Sequence, residues 1–273
     1  MNVKNAFIFT SLLFGAVLSG TNSAEAASFT SNVTGNDPTK DIILNSITQN
    51  GKNINNFSYI NKAVIQYNTP RTNDPNSGAA STDRGDKATS PLATAEDPTG
   101  NAIAAFLGNN NLNNIIDTED VGAFTIDVFF DSQITKDNSG LDSLFFWERG
   151  MNSDLGIQAL DSSGKVIGTY KIVNQTRNSS NYAGFKIDTT EIGEAQKVGS
   201  WGVSLDWLGV TKLSGLRLTA NSSFSGPDFK IIARKTTPEP TTILGLGAVA
   251  AIGLLRRRQW KQSSVWEQRD FVR

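Results

Sequence analysis

The sequence of 273 residues contains no cysteine and no histidine. Without cysteine, no disulfide can stabilise a domain, so stability must come from a hydrophobic core. Without histidine, the chain cannot form a Ser-His-Asp or Cys-His catalytic site, or a zinc, copper or iron centre with histidine ligands. We therefore expect a non-catalytic protein without a cofactor.

A basic surface is also missing. The chain has 25 Lys and Arg residues against 26 Asp and Glu residues, a formal net charge of −1. Several of its basic residues lie in the last part of the chain, so the long middle part is mildly acidic. Because nucleic-acid binding requires a positive patch, we expect no nucleic-acid partner.

Long hydrophobic runs occur only at the two ends. Near the N-terminus, Lys4 precedes the uncharged apolar run 6–18, which ends in small residues. This is the three-part pattern of a secretory signal peptide. Ala24 and Ala26 have the small side chains that signal peptidase requires at positions −3 and −1. They predict cleavage before Ala27 and a signal peptide over residues 1–26. An uncleaved anchor is the alternative, but run 6–18 is shorter than the roughly 20 residues of a span.

The second apolar run covers residues 241–255 and is followed at once by three arginines, Arg256, Arg257 and Arg258. Its 15 residues rise only about 22 Å as a helix, against a hydrocarbon core of about 30 Å. We predict a thin transmembrane segment that holds the chain briefly, with the arginines on the cytoplasmic side. Pro238, Glu239 and Pro240 come just before it, and a charged extension, residues 259–273, follows.

The middle region, residues 27–237, alternates apolar and polar residues with the period of β-strands. Phe124, Ile126, Val128 and Phe130 share one face, and Trp201 to Trp207 shows the same alternation. About ten such segments are separated by turns rich in Gly, Asn and Asp, and none shows a long helical period. The pattern predicts an all-β fold, a single β-sandwich of jelly-roll type. Residues 69–101 hold four prolines and few large apolar residues, which predicts a mobile surface loop.

The Pro-Glu-Pro triplet, the short apolar run and the arginine cluster together resemble the PEP-CTERM sorting signal, here residues 238–258. The prolines keep an extended strip outside the membrane, where a protease can bind it. The resemblance implies an exported protein, held briefly in the inner membrane and processed by an exosortase. An ordinary C-terminal anchor is the alternative.

A second resemblance covers most of the exported part. The block 144–161 (LFFWERGMNSDLGIQALD), the start 27–32 (ASFTSN) and the end 228–235 (DFKIIARK) are similar to a cyanobacterial family. That family is the exosortase-dependent surface proteins of the second type. The resemblance implies a surface or extracellular-matrix protein with a structural or adhesive role, and it supplies no mechanism.

Two alternative functions, a glycosidase and a polysaccharide-binding module, are suggested by carboxylate and tryptophan residues of the middle region. Glu148 and Asp206 could form the paired carboxylates of a histidine-free glycosidase, although Glu148 beside Arg149 is more typical of an ion pair. Trp147, Trp201 and Trp207 could stack against sugars and bind the extracellular polysaccharide, although Trp201 and Trp207 alternate as core residues do.

Calcium binding is a weaker prediction. Asp117, Glu119 and Asp120 lie close together and could contribute oxygen ligands, of which calcium takes six to eight. The acidic residues around the turn at 137–140 lack the spacing of an EF-hand. Solvated turn residues are the alternative interpretation of both groups.

Overall fold

The computed structural model describes residues 28–73 and 77–236, and this part of the chain consists mainly of β-strands. It confirms the predicted all-β fold. The strands are β1 (Thr30–Thr34), β2 (Ile43–Gln49), β3 (Lys52–Ile54), β4 (Phe57–Ser58), β5 (Ile60–Asn68), β6 (Ala80–Arg84), β7 (Asn114–Thr118), β8 (Phe124–Thr135), β9 (Leu144–Arg149), β10 (Leu155–Leu160), β11 (Val166–Val173), β12 (Tyr182–Ile187), β13 (Gln196–Val203), β14 (Lys212–Ala220) and β15 (Asp228–Arg234). One short α-helix, α1 (Gly100–Leu107), lies between β6 and β7, and three 3-10 helices of one turn each lie at Gln175–Arg177, Ser179–Asn181 and Ser222–Phe224.

The strands form three sheets. The outer sheet has the order β11-β10-β14-β8-β5, and the central sheet has the order β12-β13-β9-β15-β7-β6, with β4 paired to β15. The small sheet has the order β1-β2-β3. The chain crosses from the outer to the central sheet and back at β8, β9 and β10, and again around β14. Such crossings are typical of a jelly-roll sandwich.

The first core lies between the outer and central sheets. It contains Ile126 and Val128 from β8, Phe146 from β9 and Ile231 from β15, with Phe106 of α1 packed beside them. Each strand contributes every second residue, because side chains alternate between the faces of a sheet. The apolar residues of the alternating segments, from which the strands were predicted, therefore form this core.

A second core covers the other face of the central sheet. Phe145 and Trp147 of β9 and Ile232 of β15 pack against Leu44 and Ile47 of the small sheet. The central strands are consequently buried on both faces, and every residue of β9 and β15 is buried. The structure thus adds a third layer to the predicted two-layer sandwich, because β9 and β15 are apolar on both sides and need a cover on each.

The prediction of a mobile loop over residues 69–101 is wrong for the part that contains β6. This strand pairs with β7 in the central sheet, and four of its five residues are buried. Helix α1 then begins at Gly100, where the Thr99 side chain accepts a hydrogen bond from the Ala102 amide. Strand β6 reads ASTDR and lacks apolar alternation, so its burial is set by its neighbours in the sheet and not by its own hydrophobicity.

The predicted strand from Trp201 to Trp207 is shorter than expected. Strand β13 ends at Val203, and a turn follows in which the Gly209 amide donates to the Asp206 carbonyl at 3.0 Å. Gly209 has a φ of 70°, a conformation that favours glycine. Trp207 therefore lies in a turn and not on a strand.

Candidate functional site

An acidic cavity lies at one end of the central sheet. Its volume is about 510 Å³. The segment that ends β7 lines one side with Asp117, Thr118, Glu119 and Asp120, and Glu191, Asp228 and Arg71 line the rest. The structure therefore brings all three residues of the calcium prediction to the wall of one cavity. Whether they bind calcium stays a prediction.

Arg149 is the buried cation next to this cavity. Its Nη2 lies 2.7 Å from Asp228 Oδ2 and 3.3 Å from Asp117 Oδ2, and its Nη1 donates to the Thr189 hydroxyl. Arg149 and Asp228 are direct partners in the β9–β15 ladder, so strand register brings them together. The expected ion pair of Arg149 with Glu148 does not form. Consecutive strand residues point to opposite faces of the sheet.

Carboxylates outnumber cations around Arg149. Asp83 is buried, and its oxygens accept hydrogen bonds from the Thr190 hydroxyl and the Glu191 amide. Burial raises the pKa of Asp228 well above its ordinary value, and the neighbouring Asp117 carboxylate adds to this rise. Burial and Asp117 also raise the pKa of Glu191. The cluster consequently holds protons at a pH where isolated carboxyls have lost them.

Asp117 behaves in the opposite way. Burial alone would raise its pKa, but hydrogen bonding with Asp228 and the positive charge of Arg149 lower it below the ordinary value. Asp117 is therefore the ionised member of the cluster, and Asp228 and Glu191 are the groups that retain protons. Such a division is expected where the buried Asp117 and Asp228 carboxyls lie beside the same cation and interact with each other.

Three of these carboxylates could hold a metal ion together. One oxygen each from Asp83, Asp117 and Glu191 lies within 4.8 Å of the others. Three protein ligands are at most half of the six to eight that calcium takes, so a cation here would need Glu119, Asp120 or water to complete its shell. Sequence reasoning missed Asp83 and Glu191. The pairing of β6 with β7 brings Asp83 to Asp117, and a hydrogen bond from the Glu191 amide to Asp83 holds the loop that carries Glu191 beside them.

Glu148 lies on the other face of the central sheet from Arg149. Its partner in β15 is Phe229, which belongs to the first core, and Glu148 is only 4% exposed. Neither carboxylate oxygen makes a hydrogen bond of good geometry among the described residues, although three donors lie close enough to favour the charged form in part. Burial raises the pKa of Glu148 to about 8, and the Ser153 hydroxyl and the amides of Met151 and Asn152 oppose this rise only in part.

The glycosidase pair weighed from the sequence is not assembled. Glu148 lies opposite Gly199 in the β9–β13 ladder, whereas Asp206 lies beyond Val203, which pairs with Leu144 at the far end of β9. Asp206 instead lines a separate cavity of about 210 Å³ and contacts Lys136 Nζ at 2.6 Å. The two carboxylates therefore do not face one cleft.

The three tryptophans in the described part of the chain do not form an exposed platform. Trp147 is 1% exposed, packs edge-on against Phe29 and donates from Nε1 to the Ser31 hydroxyl at 2.9 Å. Trp201 and Trp207 are partly buried against the first core. Trp201 and Trp207 thus lie against the core, as their alternation indicated. The exposed aromatic side chains of the described residues are tyrosines, at positions 67, 170 and 182.

The export and sorting residues lie outside the described residues. These are Ala24, Ala26 and Ala27 of the signal-peptide site, Pro238, Glu239 and Pro240, the apolar run 241–255, Arg256, Arg257 and Arg258, and the extension 259–273. Among the residues described, no helix is long and apolar enough to cross a membrane. Strand β15 ends at Arg234, immediately before these C-terminal elements.

Comparison with known proteins gives one match, to this C-terminal region. The family described as the PEP-CTERM protein-sorting motif matches residues 236–259. No curated protein and no solved structure matches the chain. The matched residues include the Pro-Glu-Pro triplet, the apolar run and the three arginines. The chain therefore carries a PEP-CTERM sorting motif, which indicates an exported protein that is sorted by an exosortase and anchored transiently in the membrane.

Proposed function

We propose that this protein is a non-catalytic structural or adhesive component of the cell envelope or extracellular matrix. It is exported by its signal peptide over residues 1–26 and retained by the segment 241–255. A membrane-bound exosortase then cuts it near Pro238-Glu239-Pro240 and passes it to the surface or the medium. The observation that carries this proposal is the match of the sorting motif to residues 236–259.

The fold supports this order of events. Every described strand precedes the motif, and the last described contacts are those of Lys235 and Thr236. The Lys235 amide donates to the Asn56 carbonyl at 2.9 Å, and the Thr135 amide donates to the Thr236 hydroxyl at 3.1 Å. Cleavage near Pro238 would consequently remove the tail without removing any strand from the sheets.

The arrangement of carboxylates supports a non-catalytic role. Glu148 lies near the end of β9, whereas Asp206 lies beyond Val203, the partner of Leu144 at the start of β9. The carboxyls that do meet lie within 4.8 Å of one another (Asp83, Asp117 and Glu191) or bind the Arg149 guanidinium group (Asp117 and Asp228). A glycosidase needs its two carboxyl groups about 5 to 10 Å apart with the sugar between them. The oxygens of Asp83, Asp117 and Glu191 lie closer together than this range, and Arg149 pairs with two carboxyls of the cluster, which supports a role in stabilising the end of the sheet.

Intact mass spectrometry of the protein from separated cell fractions of its host tests the delivery route. We expect a species that begins near Ala27 and ends near Pro238, in the envelope or the medium. A variant with Pro238, Glu239 and Pro240 replaced by alanine should stay in the membrane with its arginines attached. Pro70→Ala, an exposed proline outside the motif, is the matched control. A wild-type chain that keeps residues 256–273 in the membrane fraction would show a plain anchor and refute the proposal.

A further inference from the structure

The outward face of the outer sheet carries two exposed tyrosines with small residues between them. Tyr170 of β11 is 44% exposed and Tyr67 of β5 is 55% exposed. Between these two edge strands, Gly156, Thr219 and Thr125 stand opposite one another in the ladders of β10, β14 and β8, and Thr125 stands opposite Tyr67. We call this row, together with Tyr170, the tyrosine face.

The Tyr170 side chain lies along the sheet surface instead of pointing into solvent. Its hydroxyl reaches over β10 to the Thr219 hydroxyl on β14, at 3.2 Å. The glycine at position 156 makes this possible, since a Cβ there would lie only 2.1 Å from the Tyr170 hydroxyl. The ring therefore presents one flat side outward and is fixed by a hydrogen bond. At the other end of the row, the Tyr67 hydroxyl lies 3.4 Å from the Thr69 hydroxyl.

A second row beside the tyrosine face is polar and carries no net charge. Arg217 binds Asp127 through two hydrogen bonds of 2.7 and 2.8 Å, and the Gln66 side chain donates to the same carboxylate at 2.9 Å. Gln158 stands opposite Arg217 in the next strand. The Arg217–Asp127 pair cancels its own charge, so this surface offers amide and hydroxyl groups without attracting ions of either sign.

We propose that the tyrosine face binds an uncharged polysaccharide strand. Aromatic rings stack against the apolar faces of sugars, and neighbouring amides and hydroxyls hydrogen-bond the sugar hydroxyls, as in other sites that combine aromatic surface with a few polar groups. From β10 to β5 the row crosses three strand spacings, roughly 14 Å, which fits several consecutive sugars. The inference rests on the proposed extracellular location, where such polymers are found.

Other occupants fit this face less well. A polyanion such as single-stranded nucleic acid or an acidic glycan would need a line of unpaired cations along this face. Arg217 of the polar row is neutralised by Asp127, and Lys62 of β5 lies further along, 5.2 Å from the centre of the Phe129 ring. An apolar peptide or a second protein would need an extended apolar patch. Ile172 of β11, opposite Gly156, is 38% exposed beside Tyr170, but the row between the tyrosines consists of Gly156 and two threonines. An uncharged, hydroxyl-rich chain matches both the flat rings and the cancelled charge.

Binding of the full-length chain, purified in detergent, to the host's extracellular polysaccharide tests the proposal. The probe is the neutral fraction of that polysaccharide, separated from the acidic fraction by anion exchange, and the measurement is co-sedimentation. Tyr67→Ala and Tyr170→Ala should each weaken binding to the neutral fraction about tenfold or more, as loss of a stacking ring does elsewhere. Gly156→Ala should weaken it too, because the added methyl displaces the Tyr170 ring.

Tyr182→Ala is the matched control, since Tyr182 is 40% exposed but lies on β12 of the central sheet. It should bind like the wild type. Unchanged binding of the double variant Tyr67→Ala/Tyr170→Ala, binding to the acidic fraction alone, or no binding to either fraction would overturn the proposal. So would a loss of self-association in the tyrosine variants, which would mean that the face joins two copies of the chain. If the chain is processed normally but does not bind the neutral polysaccharide, only this inference is refuted. If the chain binds the polysaccharide but keeps its C-terminal tail in the host, only the proposed delivery route is refuted.

Discussion

Replacing the buried Glu148 with glutamine should change the pH dependence of folding. Glu148 is 4% exposed on the face of the first core, and burial raises its pKa from the ordinary 4.5 to about 8. The folded protein therefore keeps a proton that the unfolded chain releases above about pH 4.5. Stability from this residue is fully present at low pH and is lost as the pH rises toward 8.

The size of the effect follows from the pKa shift. Each unit of pKa difference corresponds to about 1.4 kcal/mol, so the loss reaches roughly 3 kcal/mol at pH 7 and about 5 kcal/mol above pH 8. Glutamine has no proton to release, so Glu148→Gln should remove this slope. The variant should gain stability relative to the wild type as the pH rises, by that same amount. The wild type and the variant also differ in unfolding free energy by an amount that does not depend on pH, because a carboxyl and an amide pack differently. This amount is measured at about pH 4, where residue 148 is neutral in both proteins.

Urea unfolding followed by tryptophan fluorescence, at intervals from about pH 4 to 9, measures this difference as a change in the unfolding free energy. Glu194→Gln, at an exposed glutamate in the turn before β13, is the matched control and should follow the wild-type curve. Parallel curves for wild type and Glu148→Gln across the whole range would refute the reasoning. They would mean that Glu148 is ionised in the folded protein and has found donors that offset its burial.

Two further substitutions test the packing around the central sheet. Arg149→Met should lower the free energy of unfolding by about 3 to 5 kcal/mol, because it leaves the buried Asp117 and Asp228 carboxyls without their cation. Arg177→Met removes a half-exposed arginine and should lower it by about 1 kcal/mol or less. A loss in urea unfolding no larger for Arg149→Met than for Arg177→Met would contradict the role given to Arg149. Gly199→Ala should also destabilise, by about 1 to 3 kcal/mol, because its Cβ would lie 2.0 Å from a backbone carbonyl oxygen of the adjoining turn. Gly193→Ala is the control for it, because a Cβ at position 193 would have no atom within 4 Å. Equal melting temperatures of the two glycine variants would contradict this prediction, because they would mean that the backbone facing Gly199 moves aside without loss of stability.

Local patterns were sufficient to predict most of the strands. Segments such as 124–130 and 155–160 alternate between one apolar and one polar face, and a strand with one face on a core must show that alternation. Strands β6 and β7 escaped prediction because their buried residues are largely polar or lie next to polar residues. Helix α1 also escaped, since an eight-residue helix is too short to show a clear period.

The acidic cavity was predictable only in part. Asp117, Glu119 and Asp120 are neighbours in the sequence, so their shared position could be proposed as a weak calcium site. Asp83 and Glu191 could not be added to them, because ladder pairing and loop contacts across large sequence separations bring them to Asp117. The same limit applies to Arg149, whose partner is Asp228 on the neighbouring strand and not the adjacent Glu148.

Two properties could be recognised from the linear sequence alone: the sorting motif that indicates export, and the all-β class of the fold. The sorting motif is a linear signal, recognised in order along an extended chain, and the strand period is a local property of the backbone. Which faces are covered and which carboxyls meet depends on the tertiary structure. Trp147 is buried because a third sheet packs on the central one, and the tyrosine face is exposed because nothing covers it in the described residues. Burial and charge pairing depend on distances between residues far apart in the chain, and those distances are set by strand register and layer packing.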